Sequence, residues 1–334
     1  MLAYARRPKV KTKVPGLSWR GMPELPDIVI YLEQLQKRVF DESLQGVRLL
    51  NPFVLRSVSP PLAEAEGRRV VGLRRLGKRI VLELEDDLFL VLHLMIAGRL
   101  HWHSSKTVKL GRNVLAAFSF STGTLLFTEA GSKKRASLHL VRGEVALEAL
   151  DRGGVEVLEC GLSGFRTALL RENHTLKRAL TDPRLFSGIG NAYSDEILHR
   201  ARLSPVALTH RMTDEAVERL FIASQAILHE WVERLRQETG SAFPKKVTAF
   251  RSGMSVHGRF QKPCPVCGTP VQRIAHAENE ANYCPGCQTG GKLLADRALS
   301  RLLKTDWPRT LEEMENRKAT AKGDPIPDLN SGQR

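Results

Sequence analysis

No apolar run in this chain reaches the ~18 residues that a membrane-spanning helix needs, so no membrane partner is expected. Cysteine is scarce. Five in 334 residues, four of them near the C-terminus, exclude a disulfide-stapled scaffold. Acid is also in short supply, with 36 Asp and Glu against 51 Lys and Arg, a formal net charge of +15. An excess of that size excludes an acidic surface and argues for a polyanionic partner, nucleic acid ahead of an anionic membrane. The N-terminus lacks the apolar stretch of a secretory signal, which leaves a cytoplasmic place, beside the nucleoid in a bacterium, as the expectation. No internal repeat is present, and the length suits two or three modules around separate cores.

The basic excess is uneven. Residues 1–21 carry six cations (Arg6, Arg7, Lys9, Lys11, Lys13 and Arg20) and no acid, so nine net charges remain on the rest. This leader reads as a disordered arm, or as sequence upstream of a start at Met22. Behind Met22, the spacing of Ile28, Tyr31, Leu32, Leu35 and Val39 predicts an amphipathic helix. From about 47 to 145 the period changes to two. Ile80, Leu82 and Leu84 alternate with Val81, Glu83 and Glu85, and Asp86-Asp87 turns the chain into Leu88–Leu94. Val114–Phe120 and Thr124–Thr128 flank a second turn at Ser121-Thr122-Gly123. Glycines mark a linker over 146–164, and helices are expected from about 164 to 240, with Thr213 capping a long one. Leucines suggest a short helix at 292–304, and the polar chain beyond about 315 reads as disordered. The fold class is α+β: an antiparallel β-sandwich with a flanking helix (22–150), a helical module (151–250), a metal hairpin (256–290) and a C-terminal tail (291–334).

Two segments carry chemistry on their spacing. Cys264-Pro-Val-Cys267 and Cys284-Pro-Gly-Cys287 are two C-x2-C pairs sixteen residues apart. Four thiolates on two turns complete a tetrahedral site for one structural zinc ion, against the alternatives of two disulfides or four free thiols. Cys160 stands alone and reads as a structural cysteine. Between two helical stretches, Ser187-Gly-Ile-Gly190-Asn191 forms a glycine turn. Its following helix N-terminus could cradle a phosphate, or it could be a bare interhelical turn.

Four segments together resemble the formamidopyrimidine-DNA glycosylase / endonuclease VIII family of base-excision repair enzymes. They are Met22-Pro-Glu-Leu-Pro-Asp27, Arg75-Leu-Gly-Lys78, Gly188–Glu196 and the hairpin ending Tyr283-Cys-Pro-Gly-Cys-Gln288. The resemblance spans roughly residues 22–290. It implies a β-sandwich, a helix-two-turn-helix module and a zinc hairpin. It also implies a monomer that excises damaged bases from double-stranded or partly unpaired DNA and nicks the abasic site. Pro23, once exposed as the N-terminal residue, would be the amine nucleophile, Glu24 the proton shuttle, and Lys78 a contact to phosphate and leaving base. Lys177, Asn191 and Tyr193 would position phosphates, with Glu196 a supporting carboxylate. Each alone has a plainer reading: Pro-Glu-Leu-Pro as a helix start, the lysines as solvated surface groups.

The chain also departs from the family pattern. Met1 as the first residue would leave the Pro23 nitrogen an amide, so a functional start at Met22 with Met removal is expected. Asn279 stands where the family carries a phosphate-clamping arginine, and Arg273 on the preceding hairpin arm is the cation placed to compensate. Ile96 occupies the position of the family's wedge methionine, with Met95 beside it. A later loop lacks the family's aromatic and is basic instead. Its Lys133, Lys134 and Arg135 read as contacts to the opposite or displaced strand, or as a solvated loop. Gly240–His257 is short for a loop that caps an oxidised purine, and Asp27 replaces a glutamate.

Overall fold

The computed structural model describes residues 21–105, 108–131, 133–245, 247–275, 280–295 and 308–322. Helix α1 (Leu25–Val39) is followed by the strands β1 (Gly46–Leu49), β2 (Val70–Leu76), β3 (Arg79–Leu84), β4 (Leu88–His93), β5 (Gly98–His103), β6 (Val114–Phe120), β7 (Gly123–Glu129) and β8 (Ser137–Arg142). They form two four-stranded antiparallel sheets, in the orders β1-β6-β7-β5 and β2-β3-β4-β8. The alternation seen in sequence decides the layering. Ile80, Leu82 and Leu84 enter the core between the sheets with Phe118, Phe120 and Phe127. Val81 faces the other way and is buried with Phe89 and Val91 beneath Leu147 of the short helix α2 (Glu144–Glu148).

Two turns carry the hairpins. Asp86 and Asp87, in the three-residue turn 85–87 between β3 and β4, both take positive φ (61° and 55°), which aspartate tolerates better than most residues. Gly77 (φ 61°) and Lys78 form the turn between β2 and β3, closed by the Leu76–Arg79 pair. Lys78 therefore projects from a turn and does not lie on the strand itself.

The second core is helical. Helices α3 (Leu162–Leu170), α4 (Leu176–Thr181), α5 (Asn191–Arg200) and α6 (Asp214–Thr239) bury Phe165, Leu180, Phe186, Ile197, Leu220 and Trp231 together. The Thr213 hydroxyl caps α6 by accepting the Ala216 N–H at 3.3 Å. Between α4 and α5 the chain makes two turns, the second containing Gly188 (φ 81°). Helix α1 serves both cores. Ile28, Tyr31, Leu35 and Val39 pack into the sandwich, while Leu25 and Ile30 pack with the helices.

Strands β9 (Gln272–Ala275) and β10 (Glu280–Tyr283) pair antiparallel, and α7 (Pro285–Gln288) carries Cys287. Helix α8 (Leu311–Lys322) replaces the disorder expected beyond 315. Its start is fixed by Glu313, whose carboxylate accepts the Arg309 N–H at 2.6 Å, a local bond that composition does not reveal. Of the helix expected at 292–304, residues 292–295 are non-helical and the remainder lies outside the described residues, as do most of the basic leader and Asn279. Among the described residues no helix is long and apolar enough to cross a membrane.

Candidate functional site

The two cores meet where α1 begins. Pro23 and Glu24 are buried there, and the Leu25 N–H donates to the Gly188 carbonyl at 2.9 Å. The Glu24 carboxylate lies on the N-terminus of α5. It accepts the N–H groups of Gly190 (2.6 Å), Ala192 (2.8 Å) and Tyr193 (3.3 Å). A helix N-terminus favours an anion through its free N–H groups and its dipole. The phosphate cradle expected at this glycine turn is thus corrected: its donors are taken by an internal carboxylate.

Gly190 shows how closely the groups converge. A Cβ there would lie 2.5 Å from the Glu24 carboxyl carbon and 2.6 Å from Lys78 Nζ. Burial pushes the Glu24 carboxyl above its ordinary range, opposed by the Lys78 charge and the α5 N–H bonds. Burial likewise pulls the Lys78 ammonium down, opposed by Glu24. A carboxyl raised and an amine lowered are displaced toward each other, the direction that proton exchange in acid–base chemistry needs. Arg75 locks this junction, donating to Gly77 O (2.8 Å) and Ser187 Oγ (3.1 Å) and pairing with Glu156.

A second network sits one turn along α5. Lys177 Nζ donates to the Asn191 carbonyl (2.6 Å) and to Asp195 (2.5 Å). Asp195 also accepts from His257 Nδ1 (2.8 Å) and from the Asn282 amide on β10 (3.1 Å). Burial alone would raise Asp195, but Lys177 and His257 outweigh it and hold the carboxyl below its usual range. Glu196 accepts three backbone N–H groups, from Ser255 (2.7 Å), Val256 (2.9 Å) and His257 (2.9 Å), so it anchors the segment leading into the hairpin.

The remaining sequence-derived candidates are dispersed. Asn191 is half-buried at the start of α5, and its side chain makes no hydrogen bond among the described residues. Tyr193 is 1% exposed, its ring edge-on to Trp231 (5.9 Å) and its hydroxyl buried without a partner among the described residues. The helix turns this ring into the core, so surface phosphate contact is not its place. In the basic loop, Lys133 and Arg135 are exposed, whereas Lys134 bends back onto the Glu129 carbonyl. The buried Glu129 carboxylate fixes the loop by accepting the Arg135 and Ala136 N–H groups (2.9 and 3.2 Å). Arg273 stacks on Phe260 (4.5 Å) and pairs with Glu280 at 3.4 Å. Ile96 is 41% exposed at the β4–β5 turn, where a wedge would stand.

Sequence reading passed over several groups. Burial first, and then the charges of Arg79, Lys78, His139 and Arg152, pull His93 down to about 4. Arg251 bonds Asp27 at 2.6 Å across 224 residues. The period-two pattern does put His93 and His139 on neighbouring strands, but nothing local pairs Arg251 with Asp27.

At the hairpin, Cys264 and Cys287 sulfurs lie 3.8 Å apart, Cys267 and Cys284 3.3 Å, and Cys267 and Cys287 3.4 Å, with no disulfide. Four sulfurs about 2.3 Å from a tetrahedral centre are separated by ~3.8 Å, so the four cysteines fit one structural zinc ion. His199 Nε2 on α5 is 3.3 Å from Cys264 Sγ, where its N–H would donate to a thiolate and tie the hairpin to the helical core.

A β-sandwich and a helix-two-turn-helix that meet at a buried Pro-Glu pair, with a four-cysteine hairpin bonded to α5, define a class, the DNA glycosylases of base-excision repair. Models of the formamidopyrimidine-DNA glycosylase N-terminal domain, its H2TH domain, and the zinc finger found in FPG and IleRS match residues 22–133, 157–242 and 261–290. The formamidopyrimidine-DNA glycosylase of Thermus thermophilus is 32% identical over 277 residues, covering 81% of this chain and 100% of that one. An uncharacterised formamidopyrimidine-DNA glycosylase-like protein of Mycobacterium tuberculosis is 40% identical over 151 residues, 45% of this chain and 94% of that one. The crystal structure of the Thermus thermophilus MutM (Fpg) protein superposes with a TM-score of 0.67 at 31% identity, covering 80% of this chain and 98% of that one. A complex of Lactococcus lactis Fpg with abasic-site DNA shares the fold, with a TM-score of 0.71 at 22% identity, covering 80% of this chain and 99% of that one. The chain belongs to the formamidopyrimidine-DNA glycosylase family.

Proposed function

We propose that this protein is a monomeric bifunctional DNA glycosylase that excises a damaged base and then nicks the abasic site, using the amine of Pro23 when that residue is N-terminal. The observation that carries the reading is the Glu24 carboxyl seated on α5 beside Lys78, directly next to Pro23. A secondary amine attacks C1′, the base departs with its bonding electrons and a proton, and the sugar opens to an iminium. Loss of a proton from C2′ then eliminates the 3′ phosphate, and water releases the amine. Glu24, with its raised pKa, suits the proton transfers. An α-amino group titrates near ~8, so a fraction is unprotonated at neutral pH. Lys78, the cations around His93, Lys177, Asn191, the exposed Lys133 and Arg135, and Arg273 supply charge and donors for phosphates.

The same architecture with Pro23 still in amide linkage to Met22 would bind damaged DNA without chemistry. Borohydride trapping on abasic duplex separates the two. Protein beginning at Pro23 is expected to form a covalent adduct, and protein retaining residues 1–22 is expected to form none. No adduct from either would leave a binding protein of this fold.

A further inference from the structure

The metal hairpin has one more donor within reach than a tetrahedral ion can use. Cys264 and Cys284 are buried, and their sulfurs accept the Val266 and Cys287 N–H groups at 3.5 Å. Cys287 is half-buried. Cys267 is the exposed member, with its sulfur 3.3 Å from the Thr269 hydroxyl. The fifth donor is His199, 6% exposed near the C-terminal end of α5. A ring nitrogen of His199 and the sulfurs of Cys264, Cys284 and Cys287 all lie within 4.8 Å of one another. These four make a complete ligand set without Cys267.

The 3.3 Å from His199 Nε2 to Cys264 Sγ suits two arrangements. An N–H···S bond is one. Shared coordination is the other, because a nitrogen at ~2.05 Å and a sulfur at ~2.3 Å on one tetrahedral zinc ion are ~3.6 Å apart. With four thiolates bound, the first applies. Cys267 is also where an oxidant arrives first, since oxidation follows thiolate character and exposure. A peroxide takes an electron pair from its sulfur: an S–O bond forms, the O–O bond breaks and hydroxide leaves. The sulfenic acid that results is no longer a thiolate, and one metal position opens. A neutral imidazole fills it once the ring proton moves from Nε2 to Nδ1. Three cysteines with one histidine are an ordinary set for structural zinc. The chain neighbours of His199, Ile197 and Leu198, are buried in the helical core, so its place does not depend on the hairpin.

We propose that His199 is a reserve zinc ligand: when the Cys267 thiolate is lost, Nε2 takes the fourth position beside Cys264, Cys284 and Cys287, and the hairpin keeps its metal. The inference stands on the hairpin and is independent of the chemistry at Pro23. Zinc affinity of the full chain would be measured by chelator competition for wild type, His199→Phe, Cys267→Ala and the double variant. In the wild-type background His199→Phe is expected to cost about tenfold, as loss of an outer hydrogen bond does. In the Cys267→Ala background the same change removes a ligand, and its cost should be greater by at least ~100-fold. Equal factors in the two backgrounds overturn the proposal, because water would then serve as well as the imidazole. Nitrogen-15 spectra of histidine-labelled protein give a check that does not need His199→Phe to fold. The His199 ring should carry its proton on Nε2 in zinc-loaded wild type and on Nδ1 in zinc-loaded Cys267→Ala. A ring that keeps the Nε2 proton in Cys267→Ala overturns the proposal. Native mass spectrometry after brief peroxide treatment of zinc-loaded wild type tests the oxidised state itself. Chains with a single oxygen added at Cys267 should retain their zinc, and release of zinc in step with that oxygen also overturns the proposal.

Discussion

Gly190 is the residue on which the candidate catalytic geometry depends most closely. Its φ is −131°, an extended value that any residue adopts, so backbone freedom is not the reason for glycine. Space is the reason. An added Cβ would meet the Glu24 carboxyl at 2.5 Å and Lys78 Nζ at 2.6 Å, and both would have to move. A displacement of about 1 Å at a reacting centre can cost ~100-fold in rate. Gly190→Ala is expected to fold with a stability loss of about 1–3 kcal/mol, the usual range for overpacking, while strand nicking falls at least tenfold. Denaturant melts and single-turnover nicking of the same preparation check both halves. A variant that nicks at the wild-type rate would show that the Glu24–Lys78 approach is not used. Trapping efficiency then tells whether amine attack or the later proton transfers are slowed.

At the scale of elements, local patterns made most of the fold legible. The period-two runs became β3, β4, β6 and β7, the Asp86-Asp87 pair became a hairpin turn, Thr213 became a cap, and the C-x2-C pairs converged. What sequence could not show was where buried charges find each other. Glu24 reaches α5 across 166 residues, and Arg251 reaches Asp27 across 224. Such pairs leave no periodicity, because each partner satisfies a neighbour that only the tertiary fold brings close. The phosphate cradle read at the glycine turn failed for this reason: the donors were foreseen, but their occupant lies in another element. Strand β4 ends on a further group of this kind. His93 is held down to about 4 by burial and by the cations Arg79, Lys78, His139 and Arg152. In the unfolded chain a histidine titrates near ~6.5. Between those values the unfolded state binds the extra proton, so this stability is complete above pH 6.5 and is lost as pH falls toward 4. The full span is worth roughly 3 kcal/mol. Thermal melts between pH 7 and 5 should show the midpoint falling with acid, and His93→Asn should flatten that dependence. An identical slope in the variant would place the proton uptake elsewhere.

Over the whole molecule, the hairpin is bonded to the helical module, and one of those bonds runs to the Asp195–Lys177 network. Asn282 on β10 holds Asp195, which holds Lys177. Gln288 donates to the Leu203 carbonyl at 2.8 Å, and His199 faces Cys264. The hairpin's own core is little more than Val256, Val271 and the cysteines, with Ile274, Ala281 and Tyr283 on the other side. A unit this small needs its metal to fold, whereas the sandwich and the helices each have an extensive core of their own. Zinc removal should therefore act locally in structure and widely in function. After treatment with a thiol-reactive reagent and chelator, far-UV circular dichroism should keep most of its amplitude and a cooperative melt. Affinity for abasic duplex, read by fluorescence anisotropy, should fall at least tenfold, because Arg273 loses its strand and Asp195 loses one of its donors. The salt dependence of binding should become shallower as phosphate contacts are lost, by about one unit of log–log slope for each contact. Global unfolding on zinc loss would show that the hairpin supports the helical core, and unchanged DNA affinity would show that it does not reach the duplex.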